Sequence, residues 1–260
     1  MTEALPTGEA DEKVSYVESD ENGLIDGVAP EAPVMEEDPN AEPLPLVDEA
    51  EQTGTAMQAI TSAGSPWVSM PAGTRRIYCP RGKTGPSSGA AAFLTSISGK
   101  RRYRIRYEVM PEGNFDFKNG GKLPGLGGGT APSGGSSATS GYSARLMWNA
   151  GGRLSFYFYR VTGGTGAIDT GGYGTHWMWA ADAKLIKGRW NTIELYVDMD
   201  TGETVGWLNG VQKARQWLKY NYSTTDKMVF SAFFGGSGAS YAASKNEYLS
   251  FRNMSIRPGG

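Results

Sequence analysis

After Trp67 hydrophobic and polar positions alternate in short runs, and glycines separate the runs. The clearest run is Arg102–Val109. It puts Tyr103, Ile105, Tyr107 and Val109 on one face and Arg102, Arg104, Arg106 and Glu108 on the other. A period of two with one apolar face is the pattern of a half-buried strand. Ile193, Leu195, Val197 and Met199 repeat it, Asp200–Glu203 supplies a turn, and Thr204–Asn209 reads as the returning strand. Met228–Phe234 and Tyr248–Ile256 add further strands. No segment carries a long period of 3.6, and only Ala56–Ser62 and Ala180–Ile186 are candidates for short helices. Many short strands with turn signals predict an all-β fold, an antiparallel sandwich of the jelly-roll kind. Gly127–Gly141 and Gly163–Gly174 read as long loops on one rim.

The same alternation places polar side chains in an ordered group. Ser143, Arg145 and Met147 share one face of a strand, while Ala144, Leu146 and Trp148 share the other. In the next strand Leu154, Phe156 and Phe158 oppose Ser155, Tyr157 and Tyr159. Asn149–Arg153 between them suits a five-residue hairpin loop. If Trp148 pairs with Leu154, Arg145 lies opposite Tyr157 and Ser143 opposite Tyr159, with facing Cβ atoms roughly 5 Å apart. A slip of one residue would undo this arrangement. The apolar face must be core, so the Ser/Arg/Tyr/Tyr face is expected toward a cleft or solvent, with Arg145 and Lys122 exposed. The plain alternative is an ordinary exposed Arg–Tyr cross-strand pair.

Charge changes the picture. The net charge of -2 conceals a division. Residues 1–58 hold 16 Asp/Glu against Lys13 alone, whereas residues 59–260 carry a net +13. Of 29 aromatic residues only Tyr16 precedes residue 59. Residues 1–58 therefore read as an extended acidic tail that cannot bury enough apolar surface to fold. Residues 59–260 read as the β-domain. A positive domain suits a polyanionic ligand. Gly120–Gly128, with Lys122 alone among glycines and Pro124, reads as a loop that a ligand approaches closely. One cysteine, Cys79, and one histidine, His176, exclude internal disulfides and clustered metal ligands, so no metal and no cofactor is expected. No apolar run approaches the roughly 18 residues of a membrane span. The N-terminus lacks the basic and apolar stretches of a secretory signal. Neither a membrane nor nucleic acid is an expected partner. Gly82-Lys83-Thr84 lacks the upstream glycine of a phosphate loop, and the Asn221 and Asn253 sequons mean little without secretion.

Together Gly121-Lys-Leu-Pro-Gly-Leu-x-Gly-Gly129, Ser143-x-Arg-x-Met-Trp148 and Tyr157-x-Tyr159 resemble polysaccharide lyase family 14, which includes alginate lyases and glucuronan-type lyases of algal viruses and molluscs. Weaker similarity continues through Gly188–Asn191, Trp207–Gly210 and Phe234–Gly236, so that it covers roughly residues 100–257. The resemblance implies a β-jelly roll and an active site of Lys122, Ser143, Arg145, Tyr157 and Tyr159. It also implies β-elimination on an acidic polyuronate. Arg145 and Lys122 would neutralise the substrate carboxylate, Tyr157 and Tyr159 would serve as base and acid with Tyr159 favoured as base, and Ser143 would orient substrate or a tyrosine. A phenol ionises near pH 10, and the neighbouring cations are expected to lower that value.

His176, Trp177 and Trp179 are candidate substrate-binding residues; the alternatives are a structural histidine and tryptophans that fill the sandwich. Three functional readings follow: an active lyase, a non-catalytic carbohydrate-binding jelly roll, and a virion or capsid decoration protein anchored by residues 1–58. The first and third are compatible. Without a secretory signal the chain is expected to be made in the cytoplasm and to meet extracellular polymer after lysis or on a particle.

Overall fold

The computed structural model describes residues 68–69, 73–86, 91–134, 140–160, 174–218, 220, 222–236 and 238–259. The acidic tail, the Ala56–Ser62 helix and nearly all of the Gly163–Gly174 loop lie outside the described residues.

Thirteen strands follow in chain order: β1 (Val68–Ser69), β2 (Thr74–Cys79), β3 (Ala91–Lys100), β4 (Arg102–Pro111), β5 (Gly120–Gly129), β6 (Gly141–Asn149), β7 (Leu154–Tyr159), β8 (Thr175–Met178), β9 (Asn191–Asp198), β10 (Glu203–Leu208), β11 (Val211–Trp217), β12 (Thr225–Phe234) and β13 (Glu247–Pro258). They form two antiparallel sheets, one ordered β1-β2-β13-β4-β9-β10-β11 and the other β3-β12-β5-β6-β7-β8. The predicted sandwich is what forms. Tyr103, Ile105, Tyr107 and Val109 of β4 are buried in strict alternation, and Ile193, Leu195 and Val197 of β9 do the same one strand away. Across the core they meet Leu146, Trp148, Phe156, Phe158 and Phe234 of the six-stranded sheet. Tyr107 Oη donates to the Pro124 carbonyl at 3.1 Å and ties the layers together.

Three local expectations are corrected. Ala180–Ile186 is no helix; it holds a turn and the isolated bridge of Lys184 to Arg153. The segment Gly120–Gly128 is no loop either, nor are Gly127–Gly129 the start of one. They make up a central strand, β5, buried from Gly120 to Gly128, between β12 and β6. Its glycines are explained by packing rather than by a ligand. A Cβ on Gly121 would come within 2.1 Å of the Trp148 ring, and one on Gly125 within 2.1 Å of the Ala144 carbonyl oxygen. Pro124, which has no N–H for the ladder, sits where the β5–β6 register shifts between Leu123 and Leu126. A bulge is where a central strand tolerates proline.

This packing predicts that Gly125→Ala destabilises the domain by about 1–3 kcal/mol, the usual cost of overpacking against a neighbour that cannot move away. Gly113→Ala, which would meet nothing within 4 Å, serves as control. Thermal unfolding of the two variants checks it; equal melting temperatures would contradict it.

Candidate active site

The six-stranded sheet turns its second face away from the core, and the polar group forms there. The β6–β7 register is the one expected from the sequence: Trp148 pairs with Leu154, Arg145 with Tyr157, and Ser143 with Tyr159. The ladder extends the rows on both sides. Lys122 pairs with Met147, which faces Ser155, while Tyr157 pairs with His176 of β8. Residues so aligned project from one face. Lys122, Met147, Arg145, Tyr157, Tyr159 and His176 therefore meet in one place.

The geometry is tight. Lys122 Nζ lies 3.2 Å from the centroid of the Tyr157 ring and donates to Met147 Sδ. The Arg145 guanidinium carbon stands 5.4 Å from the Tyr157 ring and 5.5 Å from that of Tyr159. The two phenol oxygens are 3.3 Å apart. Asn149 Nδ2 donates to Ser155 Oγ at 3.0 Å, and Ser155 Oγ lies 3.3 Å from His176 Nε2. The serine hydroxyl is thus free to donate onward to a neutral imidazole.

Burial is where the structure departs from expectation. Lys122 is 7% exposed, Arg145 3%, Tyr157 9% and Tyr159 1%. Neither cation is on an open surface. Arg145 Nε is buried without a hydrogen-bond partner, and an unpaired buried donor is costly unless something else meets it. Burial, reinforced by the Arg145 charge, pushes the Lys122 ammonium well below its ordinary pKa. Burial also lowers Arg145 from its usual value. The expected lowering of the phenols is reversed at Tyr157: burial, then its hydrogen bond to Tyr159, raises its pKa despite Arg145. His176 is exposed as a residue, but its Nε2 edge packs on Ser155 and Met147 Sδ. Desolvation there and the Lys122 charge push it down to about 4.

The other candidates divide. Ser143 is fully buried and donates to the Pro132 carbonyl at 2.7 Å, so it fastens residues 130–134 over β6. Trp179 is corrected as a sugar platform. It is 1% exposed and packs edge-on against Phe156 in the core. Trp177 also turns to the core side, pairing with Phe156 and tilting over Phe158 at 5.5 Å. Sequence parity carried this signal, because neighbours in a strand face opposite ways. Once His176 joins the site, Trp177 cannot. Met147, Ser155 and Asn149 join the polar group beyond the residues that the motifs single out. For Met147 and Ser155 the signal was their shared face with Arg145 and Tyr157.

Beside Arg145 a groove of about 280 Å³ runs over β12 and β3 under residues 130–133. Among the described residues no group of three or more His, Cys, Asp or Glu is placed to hold a metal ion.

Comparison with known proteins bears on family and fold. The model for polysaccharide lyase 14 matches residues 67–254. An alginate lyase of that family from Aplysia kurodai is 29% identical, with a TM-score of 0.59 over 72% of this chain and 83% of that one. Alginate lyase vAL-1 from Chlorella virus is 23% identical, with a TM-score of 0.61 over 74% and 88%. A double mutant of alginate lyase Aly36B in complex with alginate trisaccharide is 20% identical, with a TM-score of 0.63 over 75% and 85%. No curated protein matches the sequence.

His176 is the chain's single histidine, so its imidazole signals can be followed by NMR without ambiguity. The expected titration midpoint lies near 4, well under the ordinary 6.5. Because the folded value is the lower one, the unfolded chain takes up the proton first, and stability should fall as pH drops from 6.5 toward 4. A midpoint at or above 6.5 would contradict the inward-facing Nε2.

Proposed function

The chain belongs to polysaccharide lyase family 14, and from that premise we propose that it cleaves a uronic-acid polysaccharide by β-elimination. The observation that supports this most is the enclosed group of Arg145, Lys122, Tyr157 and Tyr159 on one sheet face. Alginate, named in the structures of similar proteins, is the reference substrate class.

The proton to be removed lies on the carbon next to an ionised carboxylate, which makes it very weakly acidic. Arg145 neutralises that carboxylate; its guanidinium can bind both oxygens, and its buried Nε lacks another partner. The geometry supports a division of labour different from two tyrosines in series. Lys122, with its lowered pKa, is the group whose neutral amine is most accessible, and it takes the proton. The C–H electron pair moves toward the carboxylate, whose charge Arg145 holds. As the double bond forms, the C–O bond to the 4-linked sugar breaks. Tyr157, kept protonated by its raised pKa, gives its proton to the departing oxygen. Net transfer of the proton from Lys122 to the phenolate resets the site. Tyr159 positions Tyr157 through the 3.3 Å contact between their hydroxyls.

Attachment to a virion or other particle through residues 1–58 is a separate proposal, supported by their acidic excess. A chain starting at Gln58 that stayed bound to its parent particle as well as the full chain would remove it.

The test of the activity is ultraviolet absorbance of unsaturated ends formed from alginate, polyglucuronate or polymannuronate. Lys122→Ala and Tyr157→Phe should each lower kcat by about 10²–10⁴-fold, the usual contribution of a positioned proton donor or acceptor. Arg145→Met should cost about 2.7–4 kcal/mol of transition-state stabilisation, with melting temperature measured alongside because the residue is buried. The rate should climb with pH through the lowered Lys122 pKa and decline only as Tyr157 ionises. Full turnover by Lys122→Ala would defeat the assignment.

A further inference from the structure

The groove beside Arg145 has a chemistry unlike that of the catalytic group. Described residues from three parts of the chain line it: Pro86 with 92–94 of β3, residues 130–133, and 229–233 of β12. The sequence places no charged residue between Lys83 and Lys100, between Lys122 and Arg145, or between Lys227 and Lys245. Yet residues 59–260 elsewhere are rich in Arg, Lys, Asp and Glu. Charge is missing from the stretches that line this groove; on β12 it returns only at Lys227, which is paired with Asp226.

The described lining agrees. Leu94, Val229, Phe233 and Pro132 offer apolar surface, Thr130 and Ser231 offer hydroxyls, and Arg145 is the one charged residue, at the end that joins the catalytic group. A polymer made wholly of uronates brings a carboxylate with every sugar. Each carboxylate drawn into such a groove would lose water without gaining a cation, and that is strongly unfavourable. Arg145 can serve only one, and the reaction needs it for the sugar being cleaved. What remains of the lining suits an uncharged sugar: hydroxyl groups at Thr130 and Ser231, and apolar side chains at Leu94, Val229 and Phe233.

We infer that the subsite over β12 and β3, next to Arg145, takes an uncharged sugar. The preferred substrate is then a mixed polysaccharide in which uronate residues neighbour neutral ones. This rests on the lyase reading above, and the experiment separates the two.

Polyglucuronate and alginate can have part of their carboxyl groups reduced chemically to neutral alcohols while every linkage is kept. For the intact protein, kcat/KM per remaining uronate linkage should be about tenfold higher on the partly reduced chains, the scale on which a mismatched pocket discriminates. Leu94→Lys adds a cation at a position that is 50% exposed, where folding should not suffer. It should shift the preference back toward the unreduced polymers. Preference of the wild-type protein for unreduced chains, or an unchanged ratio in Leu94→Lys, would overturn the inference and leave the lyase activity standing. Should no polymer yield unsaturated ends, the lyase reading fails, and calorimetric binding of reduced and unreduced oligosaccharides decides the subsite. Tighter binding of reduced oligosaccharides would sustain it; equal or weaker binding would overturn it.

Discussion

Two basic side chains share a buried sheet face, and the rest of the site follows from that constraint. Among the described residues neither Lys122 nor Arg145 joins an ion pair, and the charge that acts on Lys122 is that of Arg145. Burying unpaired cations is unfavourable, and a lysine so placed gives up its proton more easily than an arginine. The pair therefore differentiates: the guanidinium keeps its charge, while the amine becomes available as a base. The fold makes this arrangement rigid. β5 holds Lys122 in a central strand whose glycines admit Trp148 and the Ala144 carbonyl, and β6 holds Arg145 between β5 and β7.

The other sheet places similar side chains in compensated pairs. On its outer face Arg76 meets Glu112, Arg104 meets Glu194, and Arg252 meets Glu108, each beside an aromatic ring. These are half-exposed, compensated pairs of the kind that contribute little individually. What sets the site apart is the lack of compensation at two residues.

Much of this was legible in the sequence wherever alternation alone decides. The faces of β4 and β9, the two-layer fold and the Arg145–Tyr157 register all follow from period two and the length of one hairpin loop. What depended on neighbouring strands was not legible. A run of glycines around Pro124 looks like a loop until the Trp148 ring and the Ala144 carbonyl stand against it. Tyr157 and Tyr159 look amphipathic until Lys122 and Arg145 cover them. The direction of the Tyr157 shift went the same way: nearby cations are visible in sequence, but the burial that outweighs them is not. His176 and Trp177, adjacent in β8, cannot form one subsite, because a strand sends them to opposite faces.

The central claim is that burial beside Arg145 holds the Lys122 ammonium well below its ordinary pKa and so makes it the readiest proton acceptor of the group. Isotope-labelled lysine side chains followed by NMR through a pH titration, with the Lys122 signal identified by its loss in Lys122→Met, test this directly. The account predicts a midpoint well below the ordinary 10.5, moving upward when Arg145 is replaced by Met. A midpoint at or above 10.5 would contradict it.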